Sequence, residues 1–218
     1  MQEAPWIKSG LASQAAASQV QPIWTFSQKE PSRTHRFTAV CDTDPEKRDW
    51  ARSKLLGSMI SDNTDDIPDP ELAVLIATSH YSQPALAIKA IERGLHALIE
   101  KPAGVYTNQV REMNSVAQKH PGLVFTIMQN QRTDCNYKKI KELLDSGKLG
   151  ALKRVIWEIT DWYRPEIYYS GWRGTWEKDG GGVLLDQSPH QAGLLVWLCG
   201  MPKTVRFLPR RQMAQHGS

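Results

Sequence analysis

Long apolar runs are absent from this sequence, and none approaches the length of a membrane-spanning helix. The N-terminus has no charged start followed by a long apolar stretch, so we expect no signal peptide. Hydrophobic residues make up 40% of the 218 residues and charged residues 23%, a composition typical of a soluble globular protein. These observations predict a cytoplasmic protein with no membrane partner.

Cysteine is sparse, with three residues at Cys41, Cys135 and Cys199 and no CxxC spacing. An odd, scattered set argues against a disulfide framework and against a zinc site. Cys41 and Cys199 stand in apolar runs, which predicts that both are small core residues. The sequence therefore predicts a reduced protein without a bound metal.

A strong excess of charge is missing as well, since the formal net charge is +4. The one local basic cluster is formed by four Lys and Arg residues at 203–211. A solvated basic tail explains a small terminal cluster better than a nucleic-acid surface does. We expect no nucleic-acid partner.

Glycine is scarce at the start of the chain, where Gly10 is the only one before Gly57. A glycine-rich turn brings backbone N–H groups and a helix N-terminus to a bound pyrophosphate, and this stretch offers none. Residues 1–36 are rich in Ser, Gln and Ala and have no sustained apolar period. We interpret 1–36 as an atypical polar segment that replaces a first strand and its glycine loop.

From residue 37 onwards, apolar runs of strand type alternate with segments of helix type. The successive strand and helix segments lie at 37–42 and 45–56, 71–78 and 84–94, 95–100 and 107–120, and 123–129 and 136–147. This alternation predicts an α/β fold of parallel strands with helices on both faces of the sheet. Beyond Gly150, the alternating run 152–160 predicts a half-exposed strand.

Polar residues follow two of the predicted strands, at the ends where such sheets bind ligands. Asp42 could hydrogen-bond a ribose diol and repel the extra phosphate of NADP. Alternatively, Asp42 or Asp44 could serve only as the N-cap of the next helix. Thr78, Ser79 and His80 follow the second strand, where they fit either a cofactor contact or a capped turn.

Glu100, Lys101 and Pro102 directly follow a strand rich in Leu and Ile. Charge at the end of a buried strand is costly unless it is used or paired. A lysine there can place its ammonium group beside a substrate oxygen, or act as an acid when its pKa is lowered. The structural alternative is a Glu–Lys pair at a surface turn.

Three glycines at 180–182 lead into an apolar segment that carries Asp186 and His190, four residues apart. Residues at this spacing share one face of an α-helix. Imidazole titrates near neutrality, as a base for a hydroxyl proton should, and the carboxylate could orient it or hold a substrate hydroxyl. The alternative is a helix-start acid next to a core histidine, and no third metal ligand stands out nearby.

The segment 161–176 is dense in aromatic and cationic side chains. We predict substrate contacts from Tyr163, Arg164, Trp172 and Arg173. Flat rings with polar groups suit the CH faces and hydroxyls of a sugar, and they suit a subunit interface equally well.

The segments AVCDTDPEK, GLHALIEKPAG and GGGVLLDQSPHQAGLLVWLCG together resemble, in this order, the glucose–fructose oxidoreductase and inositol dehydrogenase family (Gfo/Idh/MocA). The likeness extends over 37–207. It implies an incomplete Rossmann-type doubly wound parallel sheet, followed by the start of an α/β domain with an open mixed sheet. We expect a nucleotide-binding domain at 37–130 and a partial substrate and oligomerisation domain at 131–218.

The resemblance implies hydride transfer between NAD(P) and a hydroxyl of a sugar, cyclitol or related polyol, and the charge of Asp42 favours NAD over NADP. By motif match, Lys101, Asp186 and His190 form the catalytic group. His190 removes the hydroxyl proton, Lys101 polarises the oxygen or relays the proton, and Asp186 positions His190 or the substrate. The expected cofactor contacts are Asp42, Thr78, Ser79, His80, Glu100, Lys101 and Pro102. A homo-oligomer is left open for a full-length relative.

This sequence departs from the family pattern at both ends. The family begins with a strand and a G-x-G-x-x-G turn, which we do not find here, and Gly193 stands where a further acid often follows the histidine. We therefore interpret the chain as a member with both ends lost or replaced. Two other functions stay open: a truncated non-catalytic remnant, and a sugar-binding or assembly module that uses the aromatic stretch.

Overall fold

The fold is built around one six-stranded parallel sheet. A computed structural model describes residues 11–15, 37–66, 73–159, 165–169, 173–206 and 208. The strands are β1 (Leu11–Ala15), β2 (Phe37–Cys41), β3 (Met59–Ser61), β4 (Ala73–Ala77), β5 (His96–Ile99) and β6 (Phe125–Ile127). Their spatial order is β3-β2-β1-β4-β5-β6, the order of the doubly wound dinucleotide-binding sheet. The predicted Rossmann-type α/β class is confirmed.

Helices follow four of the strands. They are α1 (Pro45–Lys54), α2 (Gln83–Glu92), α3 (Thr107–Lys119) and α4 (Cys135–Asp145). Local chemistry explains where two of them begin: the carboxylates of Asp44 and Asp134 accept the backbone N–H groups of Glu46 and Asn136 at 3.0 and 2.8 Å. Two further helices, α5 (Val183–Asp186) and α6 (Pro189–Cys199), come after a long stretch whose described part has one 3-10 helix, Glu166–Tyr169.

The core lies on both faces of the sheet. All five residues of β4 are buried, which is why this strand is an uninterrupted apolar run in the sequence. On one face, Val74 and Ile76 pack in a cluster with residues of α2 and α3. On the other face, Val40 and Ala77 pack with residues of α1. The two clusters confirm that helices cover both sides.

The first strand is the main correction to the sequence prediction. We predicted that 1–36 lacks it, but β1 pairs in parallel with β4 from Leu11↔Ala73 to Ala15↔Ala77 and also pairs with β2. Its sequence, LASQA, has no β-branched or aromatic residue, so the strand follows from its place between two partners rather than from propensity. The other residues of 1–36 lie outside the described residues. No glycine stands between β1 and β2.

Two other predictions are wrong near the C-terminal end. The strand expected at 152–160 is not formed: 152–159 pair with no other described strand, and Ile156 is 69% exposed. A strand needs a neighbour for its backbone N–H and C=O groups, and an alternating pattern cannot supply one. Cys199 is exposed at the end of α6, whereas Cys41 is buried as predicted. No helix among the described residues has the length and apolarity to cross a bilayer.

Candidate active site

The sheet topology brings most of the predicted site residues to one edge. Asp42 follows β2, residues 78–80 follow β4, and residues 100–102 follow β5. All six strands are parallel, so their carboxyl ends face the same edge. The strand order reverses between β1 and β4, and in sheets of this type the ligand crevice lies at that point.

Lys101 contacts the start of the C-terminal helices. Its Nζ donates to the backbone carbonyl of Asp186 at 2.5 Å and lies 3.3 Å from Asp186 Oδ1. The two side chains are 20% and 10% exposed, so the pair is largely withdrawn from water. The alternative interpretation of these residues was an ion pair between Glu100 and Lys101 at a surface turn. Instead, the ammonium group of Lys101 contacts Asp186, and Glu100 Oε2 accepts the backbone N–H of Lys101 at 3.1 Å. The Lys101–Pro102 peptide bond is cis.

The carboxylate of Asp186 is held in its charged form. Burial alone would raise the pKa of Asp186, but the Lys101 ammonium and a hydrogen bond from Gln187 Nε2 outweigh burial and lower the pKa below its usual value. Gln187 Nε2 also donates to the hydroxyl of Tyr168 at 3.1 Å. Gln187 therefore holds the carboxylate through Oδ2 while Lys101 contacts Oδ1, a role that we did not predict for Gln187.

Burial has the opposite effect at Glu100. It raises the pKa of this carboxyl, although the backbone N–H and the charge of Lys101 act against it. Glu100 and Asp186, which both lie near Lys101, thus have pKa values displaced in opposite directions. Such divergence between neighbouring carboxyls is common at functional sites.

His190 lies on a different helix from Asp186. We predicted one helix with both residues on the same face, but α5 ends at Asp186 and α6 begins at Pro189, whose ring nitrogen has no hydrogen to donate. Burial, and then the charge of Lys101, lower the pKa of His190, which keeps its imidazole neutral near pH 7. His190 Nδ1 is buried and has no hydrogen-bond partner among the described residues.

His80 is buried against a residue that we did not single out. Its Nδ1 lies 2.8 Å from the backbone carbonyl of Asp179 and 3.0 Å from Asp179 Oδ1. A carbonyl can only accept, so Nδ1 carries the proton. His80 is 3% exposed, and its contact with the cofactor stays a prediction. In the sequence, Asp179 is one acid before the glycines, and nothing there connects it to His80.

Residues 78 and 79 lie in a hydrogen-bonded turn that leads into α2, in which the backbone N–H of Ser82 donates to the carbonyl of Ser79 at 3.0 Å. Ser82 Oγ donates to the carbonyl of Ser79 at 2.8 Å and lies 3.0 Å from Thr78 Oγ1, whose hydroxyl can donate to it. Asp42 Oδ1 accepts the backbone N–H of Asp44 at 2.9 Å, while Asp44 is the N-cap of α1. Asp42 is therefore not needed as the helix cap.

One of the four predicted substrate residues lies within the described part of the chain. Arg173 stacks on the Tyr168 ring, with 5.1 Å between its guanidinium carbon and the ring centroid. Through Tyr168 and Gln187, Arg173 is linked to Asp186. Tyr163, Arg164 and Trp172 lie outside the described residues.

Comparison with known families gives matches over both halves of the chain. Residues 13–128 match the model described as "Oxidoreductase family, NAD-binding Rossmann fold". Residues 137–217 match the GFO/IDH/MocA C-terminal domain. The first match alone covers more than half of the chain.

Individual relatives extend beyond this chain. It is 29% identical to the uncharacterized oxidoreductase YdgJ of Escherichia coli over 79% of this chain and 48% of that protein. It is also 29% identical to a scyllo-inositol 2-dehydrogenase (NADP(+)) of Bacillus subtilis, over 79% of this chain and 47% of that protein. The chain thus spans about half the length of these relatives.

Solved structures share the fold. The WlbA dehydrogenase of Chromobacterium violaceum, in complex with NADH and UDP-GlcNAcA, superposes with a TM-score of 0.75 at 24% identity. That match covers 92% of this chain and 59% of the other. A myo-inositol 2-dehydrogenase of Lactobacillus plantarum gives a TM-score of 0.70 at 23% identity, over 88% of this chain and 57% of the other.

Proposed function

Because this chain belongs to the Gfo/Idh/MocA family of NAD-binding oxidoreductases, we propose that it carries the nucleotide-binding and catalytic residues for hydride transfer to or from a hydroxyl-bearing carbon. The substrate class is a sugar, cyclitol or related polyol. The observation that carries this proposal is the contact of Lys101 with Asp186 beside a neutral His190. This contact joins the carboxyl edge of the sheet to the C-terminal helices.

The three residues divide the proton chemistry of an alcohol oxidation. His190 is the base, because a neutral imidazole can accept the hydroxyl proton while the hydride leaves the same carbon. Lys101 places a positive charge beside the substrate oxygen that becomes negative. Because its side chain is little exposed to water, the attraction between the ammonium group and this oxygen is stronger than it would be in water. Asp186 orients Lys101 and accepts a substrate hydroxyl. The nicotinamide, when bound, supplies the hydride acceptor.

We propose NAD rather than NADP as the cofactor. Asp42 stands directly after β2, next to β1 and the point where the strand order reverses. Its carboxylate suits a ribose diol and repels a 2′-phosphate. Thr78, Ser79, Glu100 and Pro102 would line the same edge. Since no glycine lies between β1 and β2, we expect a weak grip on the pyrophosphate.

The test is calorimetric titration of the chain with NAD and NADP, followed by turnover assays. The substrates are scyllo-inositol and myo-inositol, assayed for oxidation with NAD, and 1,5-anhydro-D-fructose, assayed for reduction with NADH; all three are named in relatives and fold neighbours. Lys101→Ala and His190→Ala should each lower kcat by about 10²–10⁴-fold with NAD affinity nearly unchanged. His120→Ala, outside the site, is the matched control. Preference for NADP would contradict the role of Asp42, and normal turnover in His190→Ala would contradict its role as the base.

A non-catalytic chain is the second candidate, favoured by the lack of glycine between β1 and β2. It predicts no measurable binding of either cofactor, which the same titration detects. A sugar-binding or assembly module would instead bind polyols without cofactor through Tyr163, Arg164, Trp172 and Arg173. We also propose a cytoplasmic location and, for a full-length relative, a homo-oligomer.

A further inference from the structure

A buried cluster of three side chains borders the Lys101–Asp186 pair. We call His80, Asp179 and Asp186 the carboxylate–imidazole cluster, because each offers one nitrogen or oxygen atom within 4.8 Å of the other two. His80 and Asp179 are 3% and 2% exposed. The proposed reaction uses Asp186, but it gives no role to the other two members.

The segment that carries Asp179 is fixed to the sheet edge by several contacts. Asp179 Oδ2 accepts the backbone N–H of Gly174 at 2.7 Å, while His80 Nδ1 donates to the backbone carbonyl of Asp179 at 2.8 Å. Tyr81 donates its hydroxyl to the backbone carbonyl of Trp176 at 3.2 Å. Residues 174–179 thus rest on the turn that follows β4.

Gly180, the next residue, packs against the segment after β5, on the way to α5 and α6. Its φ is +78°, and a Cβ there would lie 2.6 Å from Val105 Cγ1. The backbone at Gly180 therefore packs directly on the segment after β5. From here, residues 181 and 182 lead into α5, at whose end the carbonyl of Asp186 meets Lys101.

A divalent cation is a poor occupant of the cluster. Its three members have the ligand types of a metal site. However, the ammonium of Lys101 already lies 3.3 Å from Asp186 Oδ1, and the protonated Nδ1 of His80 faces Asp179. A cation among these atoms would be repelled by Lys101 at short range.

We propose that His80 and Asp179 are positioning residues for the Lys101–Asp186 pair. This proposal rests on the proposed function, because it takes Lys101 and Asp186 as catalytic residues. His80 holds Asp179, Asp179 holds the segment before Gly180, and this segment sets where the carbonyl and carboxylate of Asp186 meet Lys101. The titratable groups that face Asp186 are Lys101 after β5, His80 after β4 and Asp179 in the same segment, and His190 of α6 lies close to Lys101.

The test compares His80→Ala with His80→Asn in the full chain. Asparagine can place an amide N–H close to the position of Nδ1, so it keeps the bond to Asp179 without the imidazole, whereas alanine removes both. The readout is the titration midpoint of the Asp186 carboxyl, measured by ¹³C NMR. His80→Ala should raise this midpoint by about 1 pH unit as the Lys101 contact loosens, and His80→Asn should restore most of the wild-type value. His120→Ala should leave it unchanged.

Activity gives a second, separate measurement. His80→Ala and Asp179→Asn should each lower kcat about tenfold with little change in KM, and the double variant should lose no more than either alone. Additive losses would overturn the proposal, as would equal carboxyl midpoints in His80→Ala and His80→Asn. Stoichiometric Zn²⁺ binding that depends on His80 would overturn it in favour of a metal site. If the wild-type chain is inactive, the catalytic proposal fails, while the NMR comparison still decides the positioning role.

Discussion

Replacement of Lys101 by methionine should strongly destabilise the fold, because it leaves a carboxylate without its cation in a site largely closed to water. At 3.3 Å and an effective dielectric of about 20, the attraction between Nζ and Asp186 Oδ1 is about 5 kcal/mol. Desolvation opposes that attraction, and loss of one partner of a buried pair costs about 3 kcal/mol at the lower limit of the observed range. For a chain of this size we expect the melting temperature to fall by about 6–12 °C.

The matched control is Lys139→Met. Lys139 and Glu142 are closer, at 2.7 Å, but their side chains are 60% and 66% exposed. Exposed pairs contribute less than about 1 kcal/mol, so this variant should melt within a few degrees of the wild type. Differential scanning calorimetry at pH 7 measures both variants. Equal losses would show that burial at Asp186 does not set the energy of the pair.

The effect of Lys101→Met should also depend on pH in a defined direction. Since the pKa of Asp186 is lowered in the folded chain, its stabilising contribution is present above the unfolded pKa and is lost as pH falls through the folded pKa. Without Lys101, only Gln187 and His80 oppose the effect of burial on the pKa of Asp186, so the carboxyl takes up its proton at higher pH. The stability difference from wild type should therefore be largest near neutrality and shrink below about pH 4. A constant difference from pH 7 to 3 would refute this reasoning.

Three further predictions concern local features. Gly180→Ala should lower the free energy of unfolding by more than about 2 kcal/mol, because Gly180 has a positive φ and a Cβ there would meet Val105. The control Gly147→Ala, at φ +68° with open space around it, should lower it by about 1 kcal/mol. Urea unfolding measures both variants. Burial, followed by nearby acids, raises the pKa of Cys41 to about 11, so a thiol reagent at pH 8 should modify the two exposed cysteines in the native chain and the third only after unfolding. The lowered pKa of His190 means that the unfolded chain binds more protons below about pH 6.5, so stability should fall between pH 7 and 5, and His190→Gln should reduce that slope.

Strands that lie within an apolar run could be predicted from the sequence, and the two strands without such a run could not. β4 and β5 are buried runs bounded by turns, and their positions were predicted within two residues at each end. β1 and β3, with the sequences LASQA and MIS, have no pattern of their own. Their partners on the sheet make them strands, and pairing between distant segments is not encoded locally.

In the candidate site, too, some features could be predicted from the sequence and others could not. Lys101, Asp186 and His190 could be singled out as candidates because motif segments carry them, and the structure places Lys101 against Asp186. The helix break at Gln187 was missed, because the apolar spacing continues through it and Pro189 fits either one helix or the start of a second. The His80–Asp179 contact joins residues far apart in sequence, so neither neighbourhood predicts the other.

The central place of β1 has a consequence for the order of folding during synthesis. β1 precedes the other five strands in the chain, yet its partners begin at Phe37 on one side and Ala73 on the other. The ladders β2–β3 and β4–β5–β6 join neighbours in sequence and can form early, whereas β1 closes long loops in both of its pairings. Until β1 enters between these two half-sheets, each has, besides its outer edge, an open edge on the side of β1, of the kind that recruits foreign strands. Chaperone dependence and aggregation on the ribosome should respond more to changes in these five residues than their small share of the core suggests.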